Sequence, residues 1–546
     1  MPDSTPSAGS KRLAASDRAS APLLTDPALL ARLRADLRSA DYTVERAEEA
    51  LGTLAADALR RENPIPARLA LRGRRDPLAV LYSLFTLGAI RPRAEVEPTL
   101  PSLGVDGAIA LGLLAAAPAG PGHREEEDAV RALVDLSPYS ATDDLGAISW
   151  WIASDLSEIA TGRALEGEHV LGVGGASLTL ARITPREPVG RALDIGCGGG
   201  IQALHLARHA EHVVATDLSQ RALDFAAFNA ALNEIALELR QGSLAEPVHG
   251  EVFDLIVSNP PFVITPRTAA EGAPAPAAGS EQPTGERWTY RDGGRAGDAL
   301  LGELLADLPS LLAPDGRAVM LANWEISEDD WRAHPEAWLR PAAADGVDAL
   351  VIQRESEDPA QYAETWARDG GITVRDAAWE GMQEAWLADF DSRGAHAIGF
   401  GYIALHRPST RRPGILTLEN VVTTGSGHLG AHLAQTLDRI DALAALPDEE
   451  LLASRPAREA DVIERRHQEP GAWDPMLIEI VQGAGFGRTV PADQMLAAAV
   501  GALDGSLTLD QTIGAICALT DADPEEARER LLPRIRELIR TGVLHL

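Results

Sequence analysis

Two periodicities of apolar and polar residues run through the middle of the chain. Seven short apolar runs, residues 192–195, 213–216, 236–239, 253–258, 317–322, 347–353 and 397–405, have the length and composition of buried strands. Between them, other stretches repeat apolar residues at helical spacing. Residues 219–232 form one, with Ser219 placed to cap it, and residues 298–312 form another. Strand and helix in alternation predict an α/β fold with a doubly wound, seven-stranded sheet over residues 188–408. Residues 362–368 and 379–390 lie between the last two runs and read as helices of an insertion with no assigned role.

The pattern differs on either side. Residues 22–137 are mostly helical in spacing: Leu29, Leu30, Leu33 and Leu37 share one face, and residues 78–87 predict a buried helix. A winged-helix-like or other small helical module is expected, serving either to bind a partner or substrate or to pack. Short strands are expected at residues 132–136 and 150–154, and residues 138–187 are read as a connection that covers the cofactor side of the core. Residues 411–546 predict a mainly helical, winged-helix-like C-terminal module. Its last helix, residues 523–540, opens on the acids Asp523, Glu525 and Glu526, which favours packing or protein contact over DNA reading. Residues 1–21 are expected to be a disordered tail, with no apolar core of a signal peptide. Residues 265–287, rich in Ala, Pro and Gly, are expected to be a flexible loop, either a lid or a tolerated insertion.

Charge narrows the candidate partners. The chain of 546 residues carries a net charge of -32, and Lys11 is its only lysine. Nucleic-acid binding rests on phosphate neutralisation, so this balance disfavours a nucleic acid unless arginines cluster locally. Two cysteines, Cys197 and Cys517, offer no disulfide framework, and a reducing cytoplasm is expected. No apolar run is long enough to span a bilayer, so no membrane partner is expected. The oligomeric state is left open.

The candidate chemistry lies at the ends of three runs. The first ends in Asp194-Ile195-Gly196-Cys197-Gly198-Gly199-Gly200 and the second in Asp217-Leu218. Glycines after a strand let the backbone turn tightly and approach a ligand. The acid before them would repel a pyrophosphate but can hold an ammonium group. Asp217 can accept hydrogen bonds from two ribose hydroxyls. Ammonium plus ribose without phosphate describes S-adenosylmethionine better than a dinucleotide. The fourth run ends in Asn259-Pro260-Pro261-Phe262. An amide or exocyclic amino nitrogen is planar and a poor nucleophile. The Asn259 side-chain oxygen and the Pro260 carbonyl can accept its two N–H bonds. Two prolines stiffen the turn, and Phe262 offers a face for a flat group. Methyl transfer is then mainly a matter of alignment.

These motifs carry a resemblance. Residues 191–405 resemble the class I S-adenosylmethionine-dependent methyltransferases, with Asp194, Gly196, Gly198 and Asp217 in the expected places. This implies a Rossmann-like sheet. Asn259 to Phe262 resemble the motif of amino-methyltransferases acting on planar nitrogens: the HemK-type protein-glutamine N5-methyltransferases, the N2-guanine rRNA methyltransferases and the N6-adenine DNA methyltransferases. With residues 290–294, YRDGG, the whole chain is similar to a group of large actinobacterial methyltransferases.

The resemblance implies a cofactor site of Asp194, Gly196, Cys197, Gly198, Gly200, Asp217, Leu218, Ser243, Leu244 and Asn259. Ser243 and Leu244 stand where many relatives have an acid that receives the adenine amino group. Asn259, Pro260, Pro261 and Phe262 are the expected catalytic residues, and Tyr290, Arg291 and Trp324 the expected substrate contacts. No metal is expected: His205, His209 and His212 lack a carboxylate or thiol to complete a site and read as a solvated helix face. Residues 425–430 spell G-x-G-x-x-G but follow no strand and read as a helix-start loop. The expected activity is N-methylation of a protein glutamine side chain. A nucleobase comes second, a small molecule third, and a non-catalytic S-adenosylmethionine-binding regulator last.

Overall fold

The computed structural model describes residues 23–117, 128–162, 168–266, 294–327, 330–423 and 425–546. The expected tail, nearly all of the loop at residues 265–287, Tyr290 and Arg291 lie outside them. The chain divides into an N-terminal unit that ends at Asp135 and excludes Thr43–Glu45, and a second unit of Leu136–Leu546 together with Thr43–Glu45.

The N-terminal unit is built on short helices. Pro27–Ser39 starts at Asp26, whose carboxylate caps the N–H groups of Ala28 and Leu29. Pro77–Phe85 is the buried helix expected from its apolar run, and it starts at Asp76 for the same reason. Asp36 is buried without a cation because the N–H groups of Ser102 and Leu103 satisfy it, at 3.0 and 2.8 Å. Beside the helices stands a three-stranded antiparallel sheet of Arg91–Pro92, Ala129–Ala132 and Leu114–Ala117.

The second unit contains the main sheet. Its strands are β1 (Val189–Ile195), β2 (Ala210–Asp217), β3 (Glu238–Gln241), β4 (Phe253–Ser258), β5 (Leu312–Ile326), β6 (Asp348–Glu357), β7 (Ala397–His406) and β8 (Leu416–Asn420). Their order is β8-β6-β7-β5-β4-β1-β2-β3, and β7 alone runs antiparallel to its neighbours. All seven expected strands are present. The count is eight, because β8, from the segment assigned to the C-terminal module, adds to the edge beside β6. The chain reverses its direction of travel across the sheet between β1 and β4, so their C-terminal ends form the crevice where ligands bind in such sheets. Helices Ala299–Leu311 and Ala333–Ala344 cover one face with Leu301, Leu304, Leu305 and Leu339. Gly175–Ile183 and Leu429–Ala445 cover the other beside β5, β6 and β7.

A two-stranded ribbon, Asp135–Asp143 with Gly146–Ser154, precedes the sheet. It is fastened to helix Gln220–Leu232 by two asparagines. Asn229 accepts the N–H of Ala153 at 2.7 Å and donates to its carbonyl at 3.0 Å; Asn233 does the same for Trp151 at 3.1 and 2.8 Å. The amide side chains thus act as a strand partner on a helix. At the C-terminal end, helices Gln494–Ala502, Leu509–Thr520 and Pro524–Arg540 enclose a separate apolar core, joined by a sheet of Ile463–His467, Leu477–Val481 and Thr489–Ala492.

Candidate active site

The glycine turn is built from the backbone outward. Gly196 and Cys197 both donate to the Thr216 carbonyl, at 2.9 and 3.0 Å, which ties the turn to the end of β2. Asp217 accepts the N–H of Gly198 at 2.9 Å and that of Ser219 at 2.8 Å. Asp194 is only 1 % exposed and accepts the Ala203 N–H at 3.0 Å, joining β1 to the first turn of helix Ile201–Leu206. Gly196 and Gly198 have φ of 72° and 53°, and a Cβ on either would meet nothing within 4 Å. The turn therefore presents an open cradle. Gly200 serves packing: a Cβ there would lie 3.0 Å from the Ala226 Cβ.

Electrostatics mark the same place. Burial, with the neighbouring Asp217 charge adding to it, pushes the Asp194 carboxyl up to about 7. Burial also raises Asp217. A buried and a half-buried carboxylate, with no cation paired to either among the described residues, favour a positively charged ligand. Leu218 stands beside Asp217 with 67 % of its surface exposed, an apolar face next to that acid. Cys197 is buried, and burial together with the two acids holds its thiol well above the usual range, so it is a neutral filler of the turn. Leu244 is held in the left-handed region at φ 48°; its carbonyl accepts the Thr216 hydroxyl at 3.2 Å and its side chain packs on the core. Ser243 is half-buried beside it.

Ser258 places the acceptor side. It lies opposite Ile195 in the sheet and its hydroxyl donates to the Ile195 carbonyl at 2.8 Å. Asn259, the next residue, therefore emerges beside the glycine turn. Its Oδ1 is buried with no hydrogen-bond partner among the described residues, a costly state unless a donor arrives. The Pro260 carbonyl accepts the Phe262 N–H at 2.8 Å, so one of its two lone pairs is taken. Phe262 is half-buried and packs against the apolar clusters on both faces of the sheet.

Four residues beyond Pro260, the chain is pinned from a distance. The Ile264 N–H donates to the Tyr362 hydroxyl at 2.9 Å, and the Trp386 indole donates to the Ile264 carbonyl at 2.7 Å. Asn323 donates to the same Tyr362 hydroxyl at 3.0 Å, and its own Oδ1 is buried without a partner. Tyr362 and Trp386 belong to Pro359–Asp369 and Trp379–Arg393, the helices of the insertion. The insertion thus supports the Asn259–Phe262 turn.

Three expectations need correction. Trp324 is not a pocket wall: it is fully buried in the core, beside Trp331. The fifth strand runs on to Ile326, so period-two alternation turns Trp324 to the core and Asn323 to the other face. His205 and His209 are not on a solvated helix face. Both are buried; His205 lies 2.8 Å from the Tyr139 hydroxyl, and burial lowers it to about 3. Residues 175–183, within the stretch expected to be a mere connection (138–187), form a helix. Two of the glycines at 425–430 serve close packing: a Cβ at Gly430 would lie 2.2 Å from the Thr184 carbonyl oxygen, and one at Gly425 2.6 Å from that of Gly485. No cluster of three or more His, Cys, Asp or Glu able to hold a metal occurs among the described residues, and no described helix is long and apolar enough to cross a membrane.

The strand order, the acid-glycine turn and the second acid resemble those of the class I S-adenosylmethionine-dependent methyltransferases. Residues 172–273 match the methyltransferase small domain, and residues 39–126 match a domain of unknown function (DUF7059). Among curated relatives, the release factor glutamine methyltransferase of Xylella fastidiosa is 39% identical over 141 residues, which are 25% of this chain and 47% of the relative. The ribosomal RNA small subunit methyltransferase C of Escherichia coli O7:K1 is 34% identical over 101 residues, 18% of this chain and 29% of the relative. The chain thus spans less than half the length of either. Among solved structures, a methyltransferase from Pyrococcus furiosus matches 46% of this chain and 93% of its own at 14% identity and a TM-score of 0.26. A 16S rRNA N2 methyltransferase from T. thermophilus, in complex with AdoMet and guanosine, matches 46% of this chain and 60% of its own at 18% identity and a TM-score of 0.23.

Proposed function

We propose that the protein is an N-methyltransferase that transfers the methyl group of S-adenosylmethionine to a planar amide or amino nitrogen. The observation that carries this reading is the buried, unpartnered Oδ1 of Asn259 beside the open glycine cradle. Asp194 and the backbone of Gly196 and Gly198 hold the amino-acid end of the cofactor, and Asp217 holds the ribose, with Cys197 and Gly200 shaping the turn. Leu218, Leu244 and Ser243 border the base. The bound cofactor supplies an electrophilic methyl on a sulfonium. Asn259 Oδ1 accepts one N–H of the target nitrogen, and the remaining lone pair of the Pro260 carbonyl accepts the other. Holding both N–H bonds fixes the plane of the group and directs its lone pair. Pro261 stiffens this turn and Phe262 lies under the flat group.

The acceptor is a glutamine side chain on a protein. Nearly all the negative charge of the chain lies in residues 136–546, which include this site, and it repels polyphosphates. The similarity to release factor glutamine methyltransferase supports the same choice. A nucleobase amino group has the same planar geometry and is the second reading, favoured by the similarity to ribosomal RNA small subunit methyltransferase C. The expected place of action is the cytoplasm. Asn259→Ala tests the central claim: label transfer from tritiated cofactor into a fractionated lysate should fall about 100-fold or more, while calorimetric cofactor affinity stays within about twofold. Unchanged transfer in that variant would refute the role of Asn259.

A further inference from the structure

The net charge of -32 is unevenly distributed. Residues 23–117 hold twelve arginines against twelve acids, and residues 60–75 hold six arginines against one acid, Glu62. This segment forms the turn and second arm of a helical hairpin, Thr53–Leu59 and Ile65–Ala70. Ala55, Ala58, Ala67 and Leu71 are buried. Ile65, Arg68, Leu69 and Arg72, at helical spacing, take the outer face. Ile65 and Leu69 are 61% and 53% exposed between the arginines. Acids engage Arg60 (Glu48 at 2.6 Å), Arg74 (Asp76 at 2.8 Å) and, more loosely, Arg75 (Glu95 at 3.6 Å). Arg61 and Arg72 have no acidic partner among the described residues.

We infer that this arginine face of the N-terminal unit binds single-stranded RNA. Each arm of the hairpin is about 10 Å long, so the strip reaches two or three successive phosphates. Guanidinium groups fork onto phosphate oxygens and also stack on unpaired bases, which lysines do poorly. Exposed Ile65 and Leu69 offer apolar contact to the same splayed bases. A duplex presents phosphates but keeps its bases stacked away from such a face. An isolated cationic patch on an otherwise acidic molecule also confines a polyanion to one place, because the rest of the surface repels it.

The inference does not depend on methyl transfer. Its test is fluorescence anisotropy of a short, labelled, mixed-sequence single-stranded RNA with the full chain, titrated from about 50 to 200 mM salt. Wild type should bind at low salt, with a log–log salt slope of about -2 for three phosphate contacts. The variant Arg61→Glu, Arg68→Glu, Arg72→Glu should lose about tenfold or more in affinity and flatten that slope. The corresponding Gln variant should fall between them. Circular dichroism and thermal melting confirm that each variant is folded. Absence of RNA binding by folded wild type overturns the inference. So does equal binding by the Glu variant, and so does tighter binding to duplex DNA or to phosphatidylserine vesicles than to the RNA.

Discussion

The two halves of the candidate site differ in how completely they are satisfied. On the cofactor half, Asp217 and Asp194 already accept backbone N–H groups, and the glycine turn is tied to β2 through Thr216. On the acceptor half, Asn259 and Asn323 each keep a buried oxygen without a donor among the described residues. A turn that must hold its own shape against one buried and one half-buried acid is stabilised internally. A clamp for a transient substrate keeps its acceptors free. The contrast implies that damage to the first half appears in cofactor binding, whereas damage to the second appears in turnover.

The largest effect is the loss of transfer expected for Asn259→Ala, which leaves the cofactor half intact. Next is Asp217→Ala. Losing charge-assisted bonds to ribose, together with the partners of Gly198 and Ser219, should weaken cofactor binding by about 100-fold, read by calorimetry, with little change in turnover at saturating cofactor. A loss of turnover with affinity intact would erase the distinction between the halves.

A smaller effect comes from pH. The Asp194 carboxyl titrates near 7 in the folded protein, well above the ordinary carboxylate range. Between that range and pH 7 the folded state holds a proton that the unfolded chain has released, so stability without cofactor is greatest at low pH and falls as pH rises through this window. A cationic ligand favours the ionised form, so cofactor affinity should rise as pH rises through 7. A gain of about tenfold from pH 6 to pH 8 is expected, and Asp194→Asn should flatten the profile. A profile that rises equally in wild type and variant assigns the titration elsewhere.

The smallest effect is expected for Tyr362→Phe. It leaves the Ile264 N–H without its acceptor, at a cost of about 1–3 kcal/mol in stability. Turnover should drop by about threefold to tenfold through a looser Asn259 turn, with cofactor affinity unchanged. Turnover equal to wild type would limit Tyr362 to packing.

The cofactor half was legible in the sequence because each of its parts is local. Asp194 precedes its glycines directly, and Asp217 ends the next apolar run. The sheet was legible for the same reason, except at its edge: Leu416–Asn420 is short, and only pairing with β6 makes it a strand. The acceptor half was legible only as far as Phe262. Asn323 carries no signal of its own, because the apolar run ends at residue 322, four residues before the strand stops. Tyr362 and Trp386 carry no motif. Their roles follow from hydrogen bonds to Ile264 across 98 and 122 residues, which no periodicity reports.

Asn229 holds more than the ribbon. The same amide that donates to Ala153 also donates to the Gly199 carbonyl at 2.8 Å. One side chain therefore links the floor of the cofactor turn to a backbone N–H in another element. Deuterium uptake at the Ala153 amide should then slow when the turn is loaded and quicken when it is empty. This offers a gauge of cofactor occupancy that requires no knowledge of the methyl acceptor.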